Sequence, residues 1–483
     1  MLFRSLLGVL TVMATFFFGR HLFGRLAGFF AGLVLAASPL FFVFSRIVIF
    51  DLPLTFFVTL ALFFLYRQLA TEPASGFSAI AAYGLVALGF LTKGLVGAIL
   101  PAGVVFTFLI VTRRTREARK LVCLRGFLIF VVLAAPWYVL ISVKYPGYFS
   151  YFFFEEHFLR FTTLAFKRGE PVYYFVPILL AGFFPWLFFL PLWPWGNGKS
   201  PNEDRDNVLF LICWIGFVLV FFSISRSKLP GYILPAFPAL ALLSGKAWSH
   251  EWRSMEEERV SQWRRLLPQA FFVIVALTVL GGAIFGDYNA RTKSEFILPL
   301  RQNLLIFSIA LTLASLIGIP CLLSKRAPAF SFASALVASV LLMVNGLEIM
   351  KLVSSDRSTK ELAAAIQAVT PPPSAVITYD VYRQSLPFYL QRPIFFVTDP
   401  RALPGSNFTQ DYRLIRSADR PMIRPLEAFP QLLKDFEKSE SIVLIAKKPN
   451  LQALQGYFDQ PLSPIFQREG IIALVALARA TQF

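Results

Sequence analysis

Residues 208–224 read VLFLICWIGFVLVFFSI, residues 225–231 read SRSKLPG, and residues 232–248 read YILPAFPALALLSGKAW. The first run has no charge and the second has only Lys246, near its end. Each run is long enough to form the core of a helix that crosses a bilayer, which takes roughly 17–25 residues. The short connection carries two cations, Arg226 and Lys228, ahead of a Pro230-Gly231 turn. Two cations at a membrane edge are a natural anchor for a phosphate.

The same signature recurs along most of the chain. Of 483 residues, 56% are hydrophobic and only 15% charged, more apolar side chain than a soluble core of this size can bury. About twelve apolar stretches are expected to span, near 2–18, 26–44, 51–66, 77–91, 94–112, 121–142, 172–193, 208–224, 232–248, 268–286, 303–323 and 330–350. The expected fold class is therefore an α-helical polytopic membrane protein with about twelve transmembrane helices and a C-terminal α/β soluble domain. Fifty-four phenylalanines, with Trp137, Tyr138, Trp186, Trp193 and Trp195 near helix ends, fit an aromatic belt.

A net charge of +18 would point to nucleic acid in a soluble protein. Here the cations sit in short loops, so they read as topology signals and contacts with membrane lipids, and no nucleic-acid partner is expected. Cys123, Cys213 and Cys321 all lie inside apolar stretches, too dispersed for a metal site or a disulfide framework. The first apolar stretch has no A-x-A-type cleavage site, so no removable signal peptide is evident.

The densest basic loop, residues 113–120, is placed on the cytoplasmic side by the positive-inside rule. Alternation then puts the loops at 45–51, 92–94, 143–171, 225–231 and 287–302 on the far side, together with 351–483. That last segment loses the long apolar runs. A helix is expected after Ser358 or Thr359, and strands near 375–379, 394–397, 442–445 and 471–475, which describes a small α/β domain. The domains are thus 1–350, with an interfacial helix at about 146–166, and 351–483. No Gly-rich nucleotide loop is present in the sequence.

Four features converge on the far side. Asp51 opens an apolar helix, where it suits a capping role as well as an interfacial catalytic or metal-linked carboxylate. Lys93 lies between two apolar runs and is either a snorkelling lysine or an anion contact. The aromatic segment 146–161 reads as an amphipathic helix in the interface, with Glu156 and Arg160 at i, i+4 and His157 and Arg160 at i, i+3. These either form a surface ion pair or supply a metal ligand, His157, and a phosphate fork, Arg160. Arg226 and Lys228 run against the positive-inside rule and read as phosphate ligands.

Ser-Arg-x-x-x-x-Asp-x-Pro-Leu, Leu-Thr-Lys-Gly-x-x-Gly, Phe-Phe-x-Glu-Glu-His-x-x-Arg-Phe and Ser-Lys-Leu-Pro-x-Tyr-x-Leu-Pro follow one another in that order. Together they resemble the bacterial polyprenyl-phosphate-dependent GT-C glycosyltransferases, a group that includes the aminoarabinose transferases acting on lipid A and the protein O-mannosyltransferases. The resemblance covers residues 1 to about 350 and is closest to the lipid A branch. It implies an inverting transfer of a sugar from a polyprenyl-phosphate donor to a lipid or protein acceptor at the periplasmic face of the bacterial inner membrane. It implies Asp51 as the catalytic carboxylate and Lys93, Arg160, Arg226, Lys228 and Tyr232 as substrate contacts. It further implies His157, with Glu156, at a divalent metal (zinc, or magnesium or manganese). Family members begin with one more helix and a long outer loop bearing acidic residues, whereas Met1 stands where the family's second helix starts. The expectation drawn from this is a chain without its principal general base and half of any metal site, either because the true start lies upstream or because the protein is a remnant that cannot turn over. Two other classes stay open: a protein O-mannosyltransferase-like enzyme, and a catalytically incomplete polyprenyl-phosphate-binding or transport protein. A transporter would show internal repeats and charges near mid-membrane, and the sequence shows neither.

Overall fold

The computed structural model describes residues 2–70, 76–145, 147–159, 170–192, 202–254, 327–369, 375–381, 385–398, 423–436, 441–458, 461–468 and 471–477, with isolated positions between them. The chain divides into two compact units, Met1–Met350 and Lys351–Phe483.

Unit 1 is helical. It opens with α1 (Leu2–Phe23), α2 (Arg25–Ala36), α3 (Pro39–Phe44), α4 (Asp51–Ala70), α5 (Gly76–Lys93), α6 (Val96–Val111) and α7 (Leu124–Lys144). Longer helices follow at Asn202–Ile224, Phe237–Ser254 and Ala327–Arg357. Six helices among the described residues are long and apolar enough to cross a membrane, and three shorter apolar ones accompany them. The protein is a multi-pass membrane protein. On α7, Val132 and Leu140 are each 68% exposed, an outward apolar face suited to lipid rather than water.

Three expected spans are interrupted, for local reasons. The stretch 26–44 breaks at Ser38, because Pro39 has no N–H and pushes the residue before it into an extended conformation (φ −86, ψ 122). The stretch 94–112 starts only at Val96, after a left-handed Gly94. The stretch 172–193 becomes Val172–Tyr174, Phe175–Gly182 and Trp186–Leu192, with Pro185 in the gap. None of these breaks carries a mid-membrane charge. The spans expected at 268–286 and 303–323 lie outside the described residues, apart from isolated positions.

The core of unit 1 is aromatic. Phe18, Phe210 and Trp214 are fully buried, and Phe18 and Phe210 both lean on Tyr66. Buried threonines stay compatible with an apolar interior by bonding back along their own helix. Thr55 donates to Asp51 O at 2.7 Å and Thr59 to Thr55 O at 2.7 Å. Between α5 and α6 the backbones touch at Gly89 and Gly97. A β-carbon at Gly97 would sit inside the van der Waals radii of the Gly89 carbonyl and the Phe90 nitrogen. Backbone cannot rotate away as a side chain can. Gly97→Ala is therefore expected to cost at least about 3 kcal/mol, the upper range for overpacking, and to lower the Tm measured in detergent. An unchanged Tm would show that the two helices separate freely.

Unit 2 carries a six-stranded sheet in the order β3-β2-β1-β4-β6-β5. The strands are β1 (Ala375–Tyr379), β2 (Phe395–Val397), β3 (Ile423–Arg424), β4 (Ser441–Lys447), β5 (Ser463–Arg468) and β6 (Ile471–Leu477). The first four run parallel, and β6 pairs antiparallel to β4 and β5. Alternate residues serve two cores: Ile377 and Leu444 on one face, Val376, Val443 and Ile445 on the other. Strands buried on both faces read as continuous apolar runs, and β1, β2 and β4 of the parallel part, with the central antiparallel β6, were legible for that reason. β3 and β5 were not, since β3 has two residues next to Pro425 and β5 contains Pro464. Both are edge strands, where proline is tolerated.

Candidate functional site

Asp51 is the first residue of α4 and Lys93 the last of α5. These neighbouring antiparallel helices bring the two together, and the Lys93 ammonium bonds to Asp51 Oδ1. Asp51 is only 3% exposed, yet among the described residues its carboxylate pairs with Lys93 rather than capping its own helix. A buried carboxylate is tolerable only with such a partner. Lys93 Nζ also stands 4.4 Å from the centre of the Tyr232 ring, a cation–π contact. Asp51, Lys93 and Tyr232 are thus brought to one place from three separate parts of the sequence.

The loop that delivers Tyr232 explains its own glycine. A β-carbon on Gly231 would lie 2.5 Å from Asp51 Oδ2 and would overlap the Phe44 ring. Gly231 and Phe44 therefore wall the carboxylate, and the sequence reading did not identify either. Their signal was weak: a glycine between proline and tyrosine reads first as a turn.

The two cations of this loop differ. Arg226 is exposed and makes no hydrogen bond or ion pair among the described residues. Lys228 is 4% exposed, and its ammonium donates to Glu170 O at 2.9 Å and Ser225 O at 2.6 Å. Burial, and then the charge of Arg226, hold its pKa below the ordinary lysine value, opposed by Glu170. Two of its three donors thus face carbonyls and tie the 225–232 loop to residue 170, which leaves one donor for the phosphate contact expected of Lys228.

The expected interfacial helix is observed as a short turn, Tyr148–Ser150, followed by π-helical winding over Tyr151–Leu159. Wider winding brings residues five apart together. Tyr151 OH donates to Glu156 Oε1 at 3.0 Å, and His157 Nδ1 lies 2.6 Å from Phe152 O. The Leu95 N–H donates to His157 Nε2 at 3.2 Å. With Nε2 accepting, Nδ1 carries the proton and donates to Phe152 O; Nε2 also lies 3.4 Å from Lys93 O. Both ring nitrogens are engaged by backbone. In this geometry the lone pair of His157 Nε2 faces the Leu95 N–H, while Glu156 accepts from Tyr151 on Oε1 alone and keeps lone pairs for a further partner. Among the described residues no group of three His, Cys, Asp or Glu side chains could hold a metal ion. Instead, His157 clamps the turn after Lys93, where Gly94 has φ +63 and lies against the imidazole. Arg160 lies outside the described residues.

This site stands at one end of unit 1. At the other end of α4, Gln68 donates to Lys120 O at 3.1 Å, 17 residues and about 26 Å from Asp51 at 1.5 Å per residue.

A family model described as dolichyl-phosphate-mannose-protein mannosyltransferase matches residues 1–140. The undecaprenyl phosphate-alpha-4-amino-4-deoxy-L-arabinose arabinosyl transferase 1 of Proteus mirabilis (strain HI4320) is 31% identical over 248 residues, 50% of this chain and 43% of that protein. The corresponding transferase of Serratia proteamaculans (strain 568) is 32% identical over 217 residues, 43% of this chain and 38% of that protein. The matches thus span less than half the length of these curated relatives. The crystal structure of ArnT from Cupriavidus metallidurans bound to undecaprenyl phosphate aligns over 98% of this chain and 83% of its own, with a TM-score of 0.80 at 24% identity. The apo form aligns with a TM-score of 0.78. The fold is similar to that of ArnT, and part of the chain is similar in sequence to the undecaprenyl phosphate aminoarabinose transferases.

Proposed function

We propose that this protein moves an aminoarabinose-type sugar from undecaprenyl phosphate to lipid A, or to another lipopolysaccharide component, at the periplasmic face of the bacterial inner membrane. The observation that carries the reading is the Asp51–Lys93–Tyr232 constellation at one end of an ArnT-like bundle. The leaving group is a polyprenyl phosphate, and its departure needs a cation at the developing charge. Lys93 suits this, being the less buried member of its pair at 24% side-chain exposure against 4% for Asp51. Arg226 is exposed on the loop behind it and Arg160 is the candidate second fork, while Lys228 adds charge from within the loop. Tyr232 holds the Lys93 ammonium in place.

In the transfer, an acceptor oxygen bonds to the anomeric carbon on the face opposite the phosphate. The carbon–oxygen bond to phosphate breaks, and its electron pair leaves with the polyprenyl phosphate. A proton carried by the acceptor passes to a carboxylate, and Asp51 is the candidate because Lys93 can release it on turning to the phosphate. No step is assigned to a metal. The distribution of basic loops supports a periplasmic position for the active end.

The test is transfer by the purified protein with undecaprenyl-phosphate aminoarabinose and lipid A, read by mass spectrometry. Asp51→Asn is expected to slow transfer by about 10²–10⁴-fold, the usual worth of a positioned base, while binding of undecaprenyl phosphate stays within a few-fold. Full-rate transfer by that variant would remove Asp51 from the chemistry. A second reading, transfer to a protein hydroxyl, is favoured by the mannosyltransferase model matched over residues 1–140. It predicts a glycosylated peptide where the first predicts a modified lipid.

A further inference from the structure

The connection between α6 and α7 is a 3₁₀-helix, Thr115–Leu121. Residues three apart eclipse on such a helix, so its side chains stand in rows. One row is Arg114, Glu117 and Lys120. Glu117 lies 4.0 Å from Arg114 and 3.6 Å from Lys120, and Arg114 Nη1 is 2.6 Å from Asp206 Oδ2. With Gln68 on the Lys120 carbonyl and Tyr83 OH on the Leu121 carbonyl at 3.2 Å, this row fastens the helix to the bundle.

The other row is Arg116 and Arg119, and Arg113 precedes the helix in a left-handed conformation, φ +59. All three are exposed, and none of their side chains makes a hydrogen bond or ion pair among the described residues. Arg125 is likewise exposed, at the start of α7. Beside them Val122 is 80% and Leu124 73% exposed. The helix therefore presents a neutralised inner row to the protein and an unneutralised outer row beside bare apolar side chains. It also lies between two apolar helices, where the chain enters and leaves the bilayer.

We propose that Arg113, Arg116 and Arg119, with Arg125, form a binding site for the phosphate of an anionic phospholipid in the leaflet opposite the Asp51–Lys93 end. Val122 and Leu124 rest in the acyl boundary, while the guanidinium groups fork the headgroup oxygens. The occupant is a lipid rather than a soluble anion, because the cations and the apolar pair form one continuous surface. This site is independent of the transfer chemistry.

The test uses the full chain in a neutral detergent, titrated with fluorescent phosphatidylglycerol and, separately, phosphatidylcholine. Each arginine near an anionic headgroup is worth about fivefold in binding. The triple variant Arg113→Gln, Arg116→Gln, Arg119→Gln should therefore weaken phosphatidylglycerol binding by about a hundredfold. Phosphatidylcholine binding and Tm should be unchanged, and Arg205→Gln, an exposed arginine at the same end, should have less than a threefold effect. If the triple variant does not fold, Arg116→Gln with Arg119→Gln is expected to lose about twenty-five-fold. A loss under tenfold in whichever variant folds would overturn the proposal. So would equal binding of the two lipids by the wild type, or displacement of phosphatidylglycerol by inorganic phosphate at matched concentration.

Discussion

Lys93→Ala is expected to abolish phosphate-dependent lipid binding and to destabilise the protein at once. Lys93 is both the partner of a buried carboxylate and the more exposed member of that pair, open to receive a phosphate. Removing one member of a fully buried pair costs about 3–5 kcal/mol, and exposed pairs are worth about 0–1 kcal/mol. With Asp51 at 4% side-chain exposure and Lys93 at 24%, the expected loss is about 2–3 kcal/mol. The two roles separate in a double variant. Asp51→Asn with Lys93→Met replaces the ion pair by a neutral one, so Tm should return towards wild type while binding of undecaprenyl phosphate stays lost. A Lys93→Ala protein that binds the lipid within twofold of wild type would show that the phosphate sits elsewhere.

Gly94→Ala should be at least as damaging, by a different route. Gly94 has φ +63, where a β-carbon is strained, and that carbon would overlap His157 Nε2 and come within 2.9 Å of Phe152 Cζ. The left-handed conformation alone costs about 1–2 kcal/mol. The clash must also push His157 off the Leu95 N–H, which leaves a part-buried donor without its acceptor. A total near 3 kcal/mol or more is expected, together with loss of the Lys93 geometry and hence of lipid binding. His157→Ala combined with Gly94→Ala tests the route: with the ring gone, part of the lost Tm should return. No recovery would mean that backbone strain alone accounts for the loss.

The fold class was legible because lipid imposes a simple rule on composition. Long uncharged runs such as 208–224 can go almost nowhere else, and the alternating faces of β1 and β4 read as buried strands. The interruptions at Ser38 and Pro185 were less legible, since apolar residues continue through both breaks and only proline marks them. At the site, Asp51 and Lys93 were singled out by residue type at helix ends and Tyr232 by the resemblance of its loop, and the structure brings those three together. The side-chain commitments were not legible. Lys228 looks like Arg226 in sequence, but its ammonium is turned onto two carbonyls. The π-winding over Tyr151–Leu159 was also hidden, because its i, i+5 contacts mean nothing on the expected 3.6-residue period. That winding determines what His157 touches, namely the Phe152 carbonyl and the Leu95 N–H.

The most direct measurement is a binding comparison of undecaprenyl phosphate with undecaprenol on the purified protein, with Lys93→Ala alongside. The predicted result is saturable binding of the phosphate form, at least about tenfold weaker binding of the alcohol, as expected for losing a charge-assisted contact, and loss of that difference in the variant. Equal binding of phosphate and alcohol, or a preference that survives in Lys93→Ala, would contradict the account.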